Sequence, residues 1–356
     1  MEDTDSFKNE EAQRLERRAI PWLTYALIAV NVGMGVCLTV VSMRSGTSYD
    51  QLLLYFGAKE NDRILMGEYW RFLTPVFLHI NVMHLAVNSY SLFVLGSVVE
   101  RIFGRFRLIT VYLTAGIMGN VLSFMLSTNP GVGASGAIFG LLGTLLFFGL
   151  EQPHFFKRYF GKNILLTLVI NLTYGFSVAH IDNFAHVGGL IGGFLSSGII
   201  SAWAGRRWYL NRCLYLVLTV AVLGAGLSYG FHNQQNRLLV SMNELAGYEQ
   251  AEDWLHTEEK AGQILADPDV PDAYRVAVLW TLVRAEALNN QYDQAIEHAN
   301  MLQALEPADG HYILGLLYFD LKQFDLAEQE LLAAKKAGAK YTGLDEVLEE
   351  IERLKP

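Results

Sequence analysis

The sequence predicts an all-α protein in two parts, a polytopic membrane helix bundle followed by a soluble helical-repeat domain. Three observations predict it. Of the 356 residues, 52% are hydrophobic, and mean hydropathy is +0.23, more apolar than a soluble chain of this length sustains. That apolarity is concentrated: residues 19–43, 72–99, 108–150, 163–181, 183–205 and 213–231 carry no Asp, Glu, Lys or Arg. Residues 238–356 instead hold 9 Lys/Arg against 23 Asp/Glu, while the preceding chain holds 18 against 13.

The elements follow in order. About 20 apolar residues cross a bilayer as a helix. The first span starts near residue 20. It is too long for a signal-peptide core, and no small-residue cleavage site follows it, so it reads as a retained helix behind a cytoplasmic tail, 1–19. The run 72–99 supplies the second span. The run 108–150 is long enough for two crossings, and the turn-rich stretch Ser127-Thr-Asn-Pro-Gly-Val-Gly133 divides it. Three further runs bring the bundle to seven spans within 20–231, and 232–356 forms the repeat domain. Cys37 and Cys213 both fall inside spans, so no disulfide framework is expected. Nothing in the charge pattern resembles a nucleic-acid-binding surface.

Loop charges orient the bundle, because Lys and Arg stay on the cytoplasmic side. Lys8, Arg14, Arg17, Arg18, Arg101, Arg105, Arg107, Lys157, Arg158, Lys162, Arg206, Arg207 and Arg212 fall on one face. Arg44, Lys59, Arg63 and Arg71 fall on the other. The N-terminus is therefore expected inside, and the repeat domain outside after seven crossings. Spans two, four and six then all enter from the outer face. Their N-terminal portions carry His79, His84 and Asn88; Ser135; and His186. Polar groups far apart in sequence thus reach a similar depth.

The repeat domain contains Tyr248-Glu-Gln-Ala251, Tyr292-Asp-Gln-Ala295 and Phe324-Asp-Leu-Ala327. The last two are separated by Pro307 and resemble tetratricopeptide repeats, in which an aromatic and a small residue pack the two helices of a hairpin. The first is offset and degenerate. Such a region offers a surface for a protein partner.

Four groups of residues carry chemistry. Gly133-Ala-Ser135-Gly136 opens span four, placing a serine at a helix N-terminus, where free N–H groups favour negative charge. The same residues also fit a small-residue packing patch. His186 begins His186-Val-Gly-Gly189-Leu-Ile-Gly-Gly193, and Gly189 and Gly193 form a face for close helix approach. An ionisable residue inside a membrane is a functional candidate, although a neutral His bonded to a carbonyl is the plain alternative. A serine hydroxyl needs a base within hydrogen-bond reach, and His186 can be that base. Asp182, four residues earlier, could share its face but suits the helix cap. His84 and Asn88 share one helix face and can donate to an oxyanion, or act as polar glue between helices. A zinc site from His79, His84 and His186 is the rival; it lacks a carboxylate or fourth ligand.

Taken together, these motifs resemble the rhomboid protease family over roughly residues 20–230. Trp70-Arg71 matches the family's motif in the first outer loop. His79, His84 and Asn88 match its second-helix motif, and Gly96, Glu100 and Gly104 the motif at that helix's inner end. Gly133-x-Ser135-Gly136 and His186-x2-Gly189-x3-Gly193 match the nucleophile and base motifs. A seventh helix and an extracytoplasmic tetratricopeptide region resemble the long rhomboids of Gram-positive bacteria.

The resemblance implies a six-helix core and an intramembrane serine protease without a cofactor. Ser135 would attack the scissile carbonyl and His186 take its proton. His84, Asn88 and the Ser135 N–H would hold the oxyanion. Phe139 would pack on the imidazole, where the family often has Tyr. Span five would be the lateral gate, and substrates would be transmembrane segments entering from the lipid. Glu100 reads as structural, tying helix ends together. Trp70 and Arg71 read as interface anchors of the loop. A non-catalytic helix-binding adaptor and a scaffold built on the repeats are the alternatives; the resemblance implies that such adaptors lose the Ser or His that this chain keeps, and the scaffold leaves the pair unexplained.

Overall fold

Helix ends fall where the sequence supplies start and stop signals. The structure, a computed structural model, describes residues 20–161, 164, 166, 169, 170, 173, 182–200 and 208–355. The tail 1–19 and most of the predicted fifth span lie outside them. The chain divides into two compact units, 1–237 and 238–356.

In the first unit, α1 (Trp22–Ser45) follows Pro21, which removes a donor the helix start does not need. Residues 46–81 fold as short pieces: α2 (Tyr49–Tyr55), α3 (Asn61–Leu65) and two 3-10 turns, Tyr69–Phe72 and Thr74–Phe77. Next come α4 (Val82–Phe103), whose cap Asn81 accepts from the His84 N–H at 2.8 Å, and α5 (Arg105–Leu126). The turn-rich stretch breaks the helix there, and α6 (Ser135–Glu151) begins. After it come α7 (Pro153–Tyr159), α8 (Asn183–Ile200) and α9 (Trp208–His232).

Among the described residues, five helices are long and apolar enough to cross a membrane: α1, α4, α5, α8 and α9 from Tyr209. The helix α6 has only 17 residues. At 1.5 Å per residue that is about 25 Å, short of the ~30 Å hydrocarbon core. Val36, Met43, Leu210 and Val220 stand exposed on α1 and α9, as suits helices facing lipid. Leu92, Leu108, Tyr112, Leu141 and Leu145 are buried in the shared core of α4, α5 and α6.

The helix α8, which carries His186, packs on both α5 and α6 by backbone contact. A Cβ at Gly189 would overlap the Gly136 carbonyl, and one at Gly193 the Gly140 carbonyl. A Cβ at Gly188 would stand 2.7 Å from the Met118 oxygen. Small residues permit this approach where lipid gives helices no hydrophobic reason to associate.

The second unit is also all-helical among the described residues. Beyond α10 (Gln234–Gln250), which starts before the boundary, it holds α11 (Trp254–Leu265), α12 (Asp272–Leu288), α13 (Tyr292–Leu305), α14 (Pro307–Asp320), α15 (Phe324–Lys336) and α16 (Leu344–Leu354). Three helical hairpins share one turn. Glu252, Asn290 and Lys322 each adopt positive φ (55°, 61° and 59°). The next N–H closes onto a carbonyl five residues back in every case: Asp253 to Tyr248, Gln291 to Glu286, Gln323 to Tyr318. That is a helix C-terminal motif that satisfies orphan carbonyls.

The turns correct the register of the first sequence motif. Tyr292 and Phe324 open α13 and α15, with Ala295 and Ala327 fully buried one turn on. Tyr248–Ala251 lies instead at the end of α10, and Ala251 is exposed. The equivalent residues are Trp254, which opens α11, and Thr257, which is fully buried. A threonine in the small-residue position hid the match.

Candidate active site

The site is assembled from the segments before α4 and α6 and the N-terminal parts of α4, α6 and α8. Gly133 has φ of 131°, open only to glycine without strain. Its N–H donates to the Pro75 carbonyl at 2.9 Å. This turn delivers Ser135 as the first residue of α6, where the opening N–H groups have no partner within the helix. Asp182 starts α8. Its Oδ1 accepts from the Ala185 N–H at 3.0 Å and its Oδ2 from the Ser123 hydroxyl. Asp182 is therefore the cap of this helix, and His186 sits one turn in.

The structure brings Ser135 and His186 together. His186 Nε2 lies 2.9 Å from Ser135 Oγ. The imidazole is buried and stacks on Phe139, with ring centroids 4.3 Å apart and planes within 8°. Among the described residues none bonds its Nδ1. A neutral His186 that accepts at Nε2 carries its proton on Nδ1.

The His84 ring lies against Gly133: a Cβ there would stand 2.7 Å from His84 Cε1 and 3.7 Å from Ser135 Oγ. Ring and hydroxyl thus flank the same glycine. Asn88 is buried, and its amide donates to the His84 carbonyl at 3.0 Å. One N–H of that amide is committed to its own helix; the other is available. His79 packs edge-on to His84, centroids 5.2 Å apart, and its carbonyl accepts from the Tyr49 hydroxyl. Among the described residues, no three His, Cys, Asp or Glu side chains group to hold a metal ion.

The remaining motif residues brace the site. Arg71 is 1% exposed. Its guanidinium donates to the Leu54 and Ala58 carbonyls at 2.8 Å and pairs with Glu68. It knots the 46–81 segment from within, where an anchor at the membrane surface was expected. Its neighbour Trp70 is exposed. Glu100 accepts from the Leu23 and Thr24 N–H groups and the Thr24 hydroxyl at 2.7–3.1 Å. It ties the start of α1 to the end of α4, beside Gly96, whose face meets Thr24. Gly104 ends α4 with its N–H on the Glu100 carbonyl.

Sequence reasoning missed Lys59. It is fully buried and pairs backbone to backbone with Gly131. The only signal was its place among four cations on the charge-poor face.

A Rhomboid domain model matches residues 66–203. The chain is 38% identical over 146 residues to the putative rhomboid protease YdcA of Bacillus subtilis, covering 40% of this chain and 72% of that one. This chain belongs to the rhomboid family. Rhomboid protease GluP of Bacillus subtilis is 38% identical over 323 residues, which is 87% of this rhomboid and 61% of GluP. RHOMBOID-like protein 9, chloroplastic, of Arabidopsis thaliana is 33% identical over 174 residues, 47% of this chain and 40% of that one. This rhomboid thus spans about three fifths of GluP and two fifths of the Arabidopsis protein. Family and apolar helices together make it a multi-pass membrane protein.

Proposed function

We propose that this rhomboid is an intramembrane serine endopeptidase, cutting peptide bonds in or beside transmembrane segments of other membrane proteins through an acyl-enzyme. The observation that carries the reading is the 2.9 Å contact between Ser135 Oγ and His186 Nε2. Bacillus relatives named as rhomboid proteases support it. Ser135 Oγ attacks the scissile carbonyl as His186 takes its proton. The oxyanion forms beside the Ser135 N–H, with His84 and the free Asn88 N–H as further donors. His186 then protonates the leaving amine, and the same imidazole draws a proton from the water that releases the acyl group. Phe139 holds the ring plane and offers no hydrogen bond.

Substrates are single-span segments that unwind locally, because a membrane helix hides its peptide bonds. Small residues at the cut and helix breakers beyond it meet that need. With the N-terminus cytoplasmic, cleavage falls near the outer boundary of the cell membrane. The shared turns and aromatic–small pairs of the second unit support a tetratricopeptide-like, extracytoplasmic array that docks a protein partner.

The test is cleavage of a model single-span substrate in membranes by wild type, Ser135→Ala and His186→Ala at equal membrane levels. Wild type cuts, and each variant loses about 10³-fold or more. Variants that cut as well as wild type overturn the assignment. A wild type that cuts nothing, across varied substrates, moves the adaptor and scaffold readings ahead.

A further inference from the structure

Lysine is almost never fully buried unless paired, yet Lys59 has no exposed surface. Its ammonium donates to the Ser127 and Asn129 carbonyls, both at 2.9 Å. Its backbone exchanges two hydrogen bonds with Gly131, at 2.8 and 3.0 Å. One residue therefore grips the nucleophile-bearing segment at three points. Asp182 does the same for the base helix, capping α8 and holding Ser123 at the end of α5. The two meet at Gly131, where a Cβ would stand 3.3 Å from Asp182 Oδ2 and 3.6 Å from Lys59 Cδ. Burial pushes the Lys59 ammonium down to about 8, and the carboxylate that opposes this is Asp182. Gly131 precedes Ser135 by four residues, and Asp182 precedes His186 by four.

We propose that Lys59 and Asp182 form a positioning pair that locks the nucleophile segment to the base helix and so sets the Ser135–His186 separation. Neither touches the reacting atoms. Loss of the Asp182 carboxylate leaves the buried Lys59 ammonium without its facing charge, and loss of the ammonium frees the Ser127 and Asn129 carbonyls beside half-buried Asp182, so either change loosens both anchors. The proposal rests on the serine–histidine reading above, so its test has a readout that needs no peptide substrate.

The full chain, reconstituted in liposomes, is compared with Lys59→Met, Lys59→Arg, Asp182→Asn and the Lys59→Met/Asp182→Asn double variant. One readout is kcat and KM on the model single-span substrate. The other is the rate at which a fluorophosphonate labels Ser135. In that reaction Oγ bonds to phosphorus, fluoride leaves with the bonding pair, and the hydroxyl proton passes to His186. Lys59→Met and Asp182→Asn each lower kcat and labelling by about 10- to 100-fold, the scale of a small misplacement of reacting groups. KM stays within about twofold. Lys59→Arg recovers most of the rate, and the double variant falls no further than the worse single one. Folded variants that label and cut at wild-type rates, with only a lower melting temperature, reduce the pair to a structural brace and overturn the proposal. So do losses that multiply in the double variant. If wild type labels but cuts nothing, the protease reading falls while labelling still decides the pair; if it does neither, both fall.

Discussion

The two units solve helix packing in opposite ways. In the membrane unit, α8 meets its neighbours through glycines, carbonyl against bare Cα, at Gly189 and Gly193. In the second unit, side chains fill the space: Leu279, Val283, Leu302, Leu314 and Leu317 form the core, with Ala295 and Ala299 at the tight points. The difference follows from the solvent. Water drives apolar side chains together at about 25 cal/mol per Å². Lipid does not, so helices there hold by close contact and polar bonds. The same substitution therefore has different meaning in the two halves.

The strongest way to break this contrast is to add atoms in the membrane unit. Gly189→Val places a side chain into the Gly136 carbonyl and drives α8 off α6. Cleavage is expected to fall about 10²-fold or more, with reduced thermal stability in detergent. Near-wild-type activity would mean that the glycine face is dispensable. Removing atoms is the matching perturbation in the second unit. Leu314 of α14, 2% exposed, lies in the core that α14 shares with the α12–α13 hairpin. Leu314→Ala should destabilise that unit by about 2–5 kcal/mol, read as a lower melting midpoint by circular dichroism.

A smaller effect separates the units by pH. Tyr341 stacks on Tyr312 with centroids 4.0 Å apart and donates to Asp309 at 2.5 Å. Burial, then that carboxylate, raise its pKa above the ordinary phenol value. A raised folded-state value means that the folded state keeps a proton the unfolded chain has lost. Its stabilising contribution is whole below the unfolded value of ~10 and is lost as pH climbs through the folded one. Melting followed from pH 8 to 11 should show a steeper alkaline loss in wild type than in Tyr341→Phe; parallel curves would remove Tyr341 as the cause.

Much of the bundle was legible because membrane helices announce themselves by uncharged length, and the 127–133 break by its turn residues. Ser135 and His186 stood out in the sequence because each opens a short glycine-containing motif at the start of a helix, whereas Phe139 was expected only from the resemblance to the family. Other features depend on long-range contacts that no local pattern encodes. Lys59 meets carbonyls about 70 residues away. Arg71 looked like a surface anchor, but its fork turns inward to carbonyls 13 and 17 residues back. The first repeat was misplaced because Thr257 stands where the other hairpins use Ala, so the pattern pointed to Tyr248–Ala251.

The glycine face of α8 has a consequence for how the site can move. The Gly136 and Gly140 carbonyls sit in successive notches, four residues apart, left by Gly189 and Gly193. A helix seated in evenly spaced notches slides in whole steps, here four residues or about 6 Å. A displacement that size carries His186 out of reach of Ser135 altogether. The glycine notches thus hold His186 against Ser135 in one register, as a detent and not a dial.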